Sequence, residues 1–339
     1  MFHVAVPESG ELFDVLSGNG IAATVFPFRY RNILKLASFI RRKKIDLVYG
    51  NNFSNDAYIS LLAAKLAGRS FVWHIREVFK GTKQLEKKYR RVRLADAVVC
   101  VSRASASTVQ KHLPPGRDIN VIYNGIEPAD FSMNREEARE RLERELAIPR
   151  RSPLILIVGN LGERKNQRDA LMAAARVARR DSPSCFCFLG ATGDSEYVDR
   201  LKQQADELNI RPLILLTGFR SDPALFYCAA DILLHVPRWD PHPRVIVEGM
   251  AAKLPVVAYA VDGIVETVEA GQTGFLVPFG DIDGLSAALL KLIANPSLRK
   301  EMGERGYQRV LQRFTAEQTA QQVERVIQGV LKDRRAKAH

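Results

Sequence analysis

A chain of 339 residues, 46% hydrophobic and 8% aromatic, has the composition of a folded soluble protein and the length for two domains, each with its own core. No apolar run reaches the ~18–20 residues that a spanning helix needs. The start, MFHVAVPESGELFD, lacks the basic segment and long apolar core of a secretory signal, so the cytosol is the expected compartment.

Short β-branched runs alternate with longer helix-like stretches along the whole chain. In the first half they predict strands at 3–7, 23–28, 46–51, 70–75, 97–102 and 120–124. The second half predicts strands at 154–159, 185–190, 213–218, 232–236, 256–259 and 274–277. Between them, segments such as 166–180 and 285–294 carry apolar residues at three- and four-residue spacing, the helical period. Near-continuous apolar strands in β-α alternation argue for an α/β fold with parallel sheets covered on both faces. The charged stretch MNREEARERLERELAIPRRSP, 133–153, reads as one helix and a polar linker. It sets the expected domain boundary, with domains at 1–145 and 146–339. After residue 298 the chain is helical again, amphipathic over 315–331, with no strand signal.

The formal charge of +12 is unevenly placed. Residues 1–100 hold 17 Lys and Arg against 8 Asp and Glu. Arg41-Arg42-Lys43-Lys44 forms one cluster; Lys80, Lys83, Lys87, Lys88, Arg90, Arg91 and Arg93 form another; the tail KDRRAKAH is a third. Such patches suit an anionic partner or are simply solvated faces. They lack the interleaved aromatic residues of a nucleic-acid stacking surface, so nucleic acid is not an expected partner. Of the four cysteines, Cys100, Cys185, Cys187 and Cys228, no two have C-x-x-C spacing, and Cys185 and Cys187 share a strand face; buried reduced thiols are expected.

In doubly wound sheets ligands sit outside the carboxyl ends of the strands, so the residues just after strands carry the functional signal. After the strand ending near 158 comes GNLGERKNQRDA. Two glycines, the cations Arg164 and Lys165, and Asn166 as a candidate helix cap together suit a diphosphate, though an ordinary capped turn fits as well. After the strand at 232–236 comes RWDPHPRVIVEGMA. Prolines 237, 241 and 243 discourage helix before Arg244, and Glu248 then lies in the first turns of a helix, where an anion is favoured. Asp240 sits in the proline-stiffened loop. His235, Asp240 and His242 make a poor metal set for want of a fourth ligand. After 256–259, Gly263 permits a close backbone approach and Glu266 begins a helix. In the first half, His74 ends a strand, where a structural and a hydrogen-bonding or acid/base role are equally open. Tyr123-Asn124-Gly125 reads as a turn.

Six landmarks in this order resemble the family 4 retaining glycosyltransferases: HIRE at 74–77, VSRAS at 101–105, VIYNGI at 121–126, GNLGERKNQ at 159–167, RWDPHPRVIVEGMA with AKLPVVAYAVDGIVETV to 268, and AGQTGFLVPFGD at 270–281. The resemblance covers most of the chain. It implies the GT-B fold, two Rossmann-like doubly wound parallel-sheet domains facing a cleft, with the last helix crossing back to the N-terminal domain. It implies transfer of a sugar, with retention, from a nucleotide-sugar donor to a glycan or lipid-linked acceptor in envelope or exopolysaccharide synthesis.

Carried onto this sequence, Lys165 with Arg164 would neutralise the donor diphosphate, so that no metal or other cofactor is expected. Glu248 would bind the ribose, Asp240 and His74 the donor sugar, and Phe219 and Arg220 the base. Backbone groups at Val245, Ile246, Asp262 and Gly263 would touch phosphate or sugar. Three departures stand out: Asp240 replaces a glutamate, His242-Pro243 replaces Phe-Gly, and Asn160 replaces an arginine. The chain also begins at what resembles the second strand of the family, without the usual first strand and Gly-Gly loop. That leaves a second reading open, a non-catalytic relative that binds nucleotide, membrane or a partner transferase; a sugar-nucleotide epimerase is a third. The basic N-terminal half would fit an anionic surface at the inner face of the cytoplasmic membrane.

Overall fold

The computed structural model describes residues 2–78, 89–149, 152–180, 184–193 and 195–338. Lys80, Lys83, Lys87 and Lys88 of the second basic cluster, and Arg150-Arg151 of the linker, lie outside these.

The chain divides into two compact units. The first comprises 1–100, 106–121 and 323–339, and the second 101–105 and 122–322. The first unit runs β1 (Val4–Val6), α1 (Glu11–Gly18), β2 (Ala23–Val25), α2 (Ile33–Arg42), β3 (Leu47–Gly50), α3 (Asn55–Leu66), β4 (Ser70–Ile75), β5 (Ala97–Cys100), α4 (Arg103–Gln110) and β6 (Asn120–Val121). All strand pairs are parallel. β1 pairs with β2 in one two-stranded sheet, and β3-β4-β5-β6 form a separate sheet in that order. β4 is buried along its whole length, which accounts for its apolar run Phe71-Val72-Trp73. Its Phe71, Trp73 and Ile75 pack with Leu61 of α3 on one face. Ser54 starts α3 by accepting the N–H groups of Asp56 and Ala57 at 3.0 and 3.4 Å.

The second unit continues with α5 (Arg135–Leu146), β7 (Leu154–Val158), α6 (Gln167–Ala178), β8 (Cys185–Leu189), α7 (Ser195–Glu207), β9 (Ile214–Gly218), α8 (Pro223–Ala229), β10 (Ile232–His235) and α9 (Arg244–Ala251). It ends with β11 (Val256–Tyr259), α10 (Ile264–Thr267), β12 (Gly274–Val277), α11 (Ile282–Ala294), α12 (Pro296–Arg313) and α13 (Ala316–Ala338). The six strands form one parallel sheet in the order β12-β11-β10-β7-β8-β9. Alternation along each strand feeds two cores. Ile155, Ile157, Phe186 and Phe188 face the side covered by α6, α7 and α11. Leu154, Leu156, Cys185 and Cys187 face the side covered by α5, α8, α9 and α12. Each fully buried large side chain contributes about 1.5–3 kcal/mol relative to exposure, so both faces need their helices. All four cysteines are buried and unpaired by disulfide.

The division between units falls at 121/122, well ahead of the expected 145/146. The reason is the packing of α5: Ala138 and Leu142 are buried in the second core beside Leu225 and Leu233. Arg139 of α5 also bonds Asp231 at 3.3 Å, directly before β10. The helix assigned to the end of the first domain is a covering helix of the second sheet. The second half of α13, from residue 323, belongs to the first unit, where Arg334 donates to the carbonyls of Asp46 and Gly68.

Candidate functional site

In the second sheet the chain starts at β7, moves outward to β8 and β9, then returns to β10 on the opposite side of β7. The loops after β7 and β10 therefore diverge at the switch point, and they hold the acidic and basic residues singled out in the sequence.

The loop after β7 is shaped by glycines and by one buried amide. Gly159 has φ +140°, outside the range of ordinary side chains. A Cβ on Gly190, just after β8, would lie 2.2 Å from the Gly159 carbonyl, so the two turns touch only because residue 190 is glycine. Gln167, at the start of α6, is 1% exposed and laces the loop together. Its Nε2 donates to the Asn160 carbonyl at 3.2 Å and the Gly159 carbonyl at 3.4 Å, and its Oε1 accepts from Gly162 N–H at 3.3 Å. Nothing in the sequence pattern marks this residue. Asn160 itself is exposed. Asn166 takes the N-cap position of α6 but does not cap it: in a left-handed conformation, φ 55°, its amide turns to Asp169 Oδ2 at 2.8 Å and the Val236 carbonyl at 3.2 Å. It ties the β7 loop to the β10 loop instead.

Lys165 and Asp240 meet at the centre. Lys165 Nζ donates to Asp240 Oδ2 at 2.8 Å; His235 Nε2 lies 3.3 Å from the same oxygen, and Arg164 Nη1 lies 4.0 Å away. Asp240 is 5% exposed. Burial alone would raise its carboxyl, but the His235 hydrogen bond and the Lys165 charge outweigh it and hold the group well below the usual carboxylate range. His235 is pulled down to about 4 by burial and by Lys165, against the pull of Asp240, so its ring is neutral and its Nε2–H is the donor. The carboxylate is therefore bound to protein cations, and Arg164, with about half of its side chain exposed, is the more open cation of the loop.

Glu248 lies in the second turn of α9. Its Oε2 accepts from Tyr227 Oη at 2.8 Å and its Oε1 lies 3.5 Å from Arg244. Tyr227 is fully buried, and burial beside this carboxylate keeps its phenol protonated, a fixed donor that orients Glu248. The helix start has no capping side chain. Val245 is in its first turn, and Ile246 N–H is already bonded to the Pro243 carbonyl at 3.2 Å.

Gly263 corrects an expectation. Its N–H is bonded to the Asp240 carbonyl at 3.1 Å, and a Cβ there would lie 1.8 Å from the Pro241 carbonyl. The close approach that this glycine permits is to the neighbouring protein loop, so its amide is already occupied. Asp262 before it adopts φ 41° to make the turn. The Tyr123-Asn124 turn is more than a connection. Asn124 Nδ2 donates to the His242 carbonyl at 3.1 Å, and the Tyr123 ring lies 5.1 Å from that of His242. Phe219 is 77% exposed. Beside it Arg220 is engaged with Asp222 at 2.9 and 3.1 Å and with Glu145.

His74 belongs to the first unit, next to last in β4 and fully buried. Its Nδ1 is bonded to Tyr49. Among the described residues no group of three or more His, Cys, Asp or Glu is arranged to hold a metal ion.

Residues 138–309 match the family described as Glycosyl transferases group 1, and residues 3–130 match Glycosyltransferase Family 4. The chain is 23% identical over 308 residues to the N-acetyl-alpha-D-glucosaminyl L-malate synthase of Bacillus anthracis, covering 88% of this chain and 78% of that one. It is 26% identical over 307 residues to the UDP-Gal:alpha-D-GlcNAc-diphosphoundecaprenol alpha-1,3-galactosyltransferase of Escherichia coli, covering 84% and 78%. Of solved structures, Anabaena Alr3699/HepE in complex with UDP matches with a TM-score of 0.86 at 23% identity, over 96% of this chain and 92% of that one. Its complex with UDP-glucose gives 0.84 at the same identity, over 96% and 91%.

Proposed function

The chain belongs to the group 1 glycosyl transferases and has the GT-B fold, and on that premise we propose that it moves a sugar, with retention, from a nucleotide-sugar donor to a glycan or lipid-linked acceptor in envelope or exopolysaccharide synthesis. The observation that carries this reading is the pairing of Lys165 with the buried Asp240 at the switch point, beside a helix start left without a side-chain cap. A cation on one loop and open N–H groups on the next are what a diphosphate needs. The relative named for UDP-Gal, and the neighbour bound to UDP and UDP-glucose, support a nucleotide sugar as that diphosphate.

In this reading Arg164 meets the diphosphate first. Lys165 is shared between phosphate and Asp240 and stabilises the leaving nucleotide, so protein cations do the neutralising that a metal would otherwise do. Glu248, oriented by Tyr227, takes the ribose hydroxyls, and His74 bonds the donor sugar. The protein works at the inner face of the cytoplasmic membrane, drawn there by its basic first unit.

The test is turnover with a panel of nucleotide sugars and a lipid-diphosphate-linked acceptor, in the presence of EDTA. Lys165→Ala is expected to lower kcat by roughly a hundredfold, the scale of losing one preorganised charge at the reacting centre. Glu248→Ala is expected to raise the donor KM about tenfold, the loss of a charged hydrogen bond to a hydroxyl. Unchanged kinetics in both variants overturn the assignment.

A further inference from the structure

The side chain of His74 poses a problem in proton placement. Tyr49 in β3 stands opposite Val72 of β4, so His74, two residues on, is its diagonal neighbour on the same sheet face. The phenol Oη lies 2.5 Å from His74 Nδ1, with the rings edge to face at 81°. His74 is fully buried, and its Nε2 has no hydrogen-bond partner among the described residues. A buried polar atom without a partner costs about 1–3 kcal/mol, so its retention at a strand's carboxyl end points to a ligand atom that completes it.

Two proton arrangements are possible in the Tyr49–His74 pair. If Nδ1–H donates to Oη, the phenol proton and the Nε2 lone pair are both left without partners, because the Tyr49 phenol makes no other hydrogen bond among the described residues. If Oη–H donates to Nδ1, only one group is left over, the Nε2–H. Burial, with a smaller contribution from Arg76, holds His74 down to about 3, and burial pushes Tyr49 up to about 12 against the pull of the same Arg76. A neutral ring and a protonated phenol are what the second arrangement requires.

We propose that Tyr49 is a positioning residue: its phenol donates to Nδ1, fixes His74 as the Nε2–H tautomer, and leaves that N–H as a donor to a hydroxyl oxygen of the donor sugar. This rests on the reading that His74 contacts that sugar. The tautomer then sets the sense of the contact: the sugar oxygen must accept.

The test uses the full chain labelled with 15N. Two-bond 1H–15N correlation spectra identify the tautomer, and the His74 signals are assigned by their loss in His74→Gln. The wild type is expected to show an unprotonated Nδ1 and a protonated Nε2, and Tyr49→Phe a mixture of the two tautomers at an unchanged melting temperature. With UDP-glucose as the donor probe, Tyr49→Phe is expected to lower kcat roughly tenfold with little change in KM, the size of one misdirected hydrogen bond. A wild-type ring protonated at Nδ1 overturns the proposal whatever the chain's activity. A tautomer unchanged in Tyr49→Phe overturns it as well. Wild-type turnover by His74→Gln overturns the sugar contact, while the kinetic case for Lys165 and Glu248 stands apart from it.

Discussion

His242 sits where its chemistry is least wanted. It is 3% exposed, packed between Tyr123 and Phe314 with ring centroids at 5.1 and 5.4 Å, and neither ring nitrogen has a hydrogen-bond partner among the described residues. Burial holds it down to about 4, only partly opposed by Asp240. In the unfolded chain the same group titrates near ~6.5. Between these values the unfolded state binds the proton and the native state does not, so native stability falls as pH drops through that window, by about 1.4 kcal/mol per unit. His242→Phe keeps the ring stack and removes the two unsatisfied atoms. It is expected to stabilise the second unit by about 1 kcal/mol at pH 7.5 and by roughly 2 kcal/mol more at pH 5. Urea titrations in a Trp73→Phe background, where Trp239 alone reports, measure this. A variant no more stable than its parent at pH 5 would show that His242 has a partner in solution.

The loops after β10 and β11 form one piece because Gly263 has no side chain. Any Cβ there meets the Pro241 carbonyl, which is backbone and cannot swing aside. Gly263→Ala is expected to cost about 1–3 kcal/mol, the usual range for overpacking. It also displaces the Asp240 carbonyl that the Gly263 amide holds, so nucleotide-sugar affinity should fall with stability. Gly329→Ala, in the middle of α13 with nothing within 4 Å, should be neutral or stabilising by up to ~1 kcal/mol. Thermal melts with and without UDP-glucose separate the two effects. Among the described residues all twelve strands lie within the runs read from the sequence; β8 and β11, buried along their whole length, leave an unbroken apolar trace. The unit boundary was not legible: α5 is charged nearly throughout, and Ala138 and Leu142 are its two buried apolar residues in the second core. At the candidate site, the segments after β7 and β10 singled out Lys165 and Asp240, which the structure brings to 2.8 Å of each other. Gln167, Tyr49 and Tyr227 were missed because a buried amide or phenol inside an element reads as core. What distinguishes them is the partner, and partners come from other strands and loops.

At the scale of the whole molecule the feature to explain is where the charge lies. The surplus of the first hundred residues is carried in part at the end of α2: Leu36, Ala37 and Ile40 of the helix are buried, while its Arg41 and Arg42 and the following Lys43 and Lys44 are exposed. At the start of that helix Leu34 is 74% and Tyr30 53% exposed, set among the exposed Arg29, Arg31 and Lys35. An exposed apolar residue and an aromatic one with cations beside them in sequence suit the boundary between lipid headgroups and chains, where each cation near an anionic surface contributes about 1 kcal/mol. The protein is therefore expected to sediment with vesicles containing phosphatidylglycerol at low salt, and to leave them as salt rises and the charges are screened. Leu34→Glu with Lys35→Glu removes one cation, adds two anions and deletes the apolar contact, so the partition coefficient should fall by more than about tenfold. Equal sedimentation with neutral phosphatidylcholine, or binding indifferent to salt, would leave the basic surface without a membrane partner, while turnover of a soluble acceptor would be untouched.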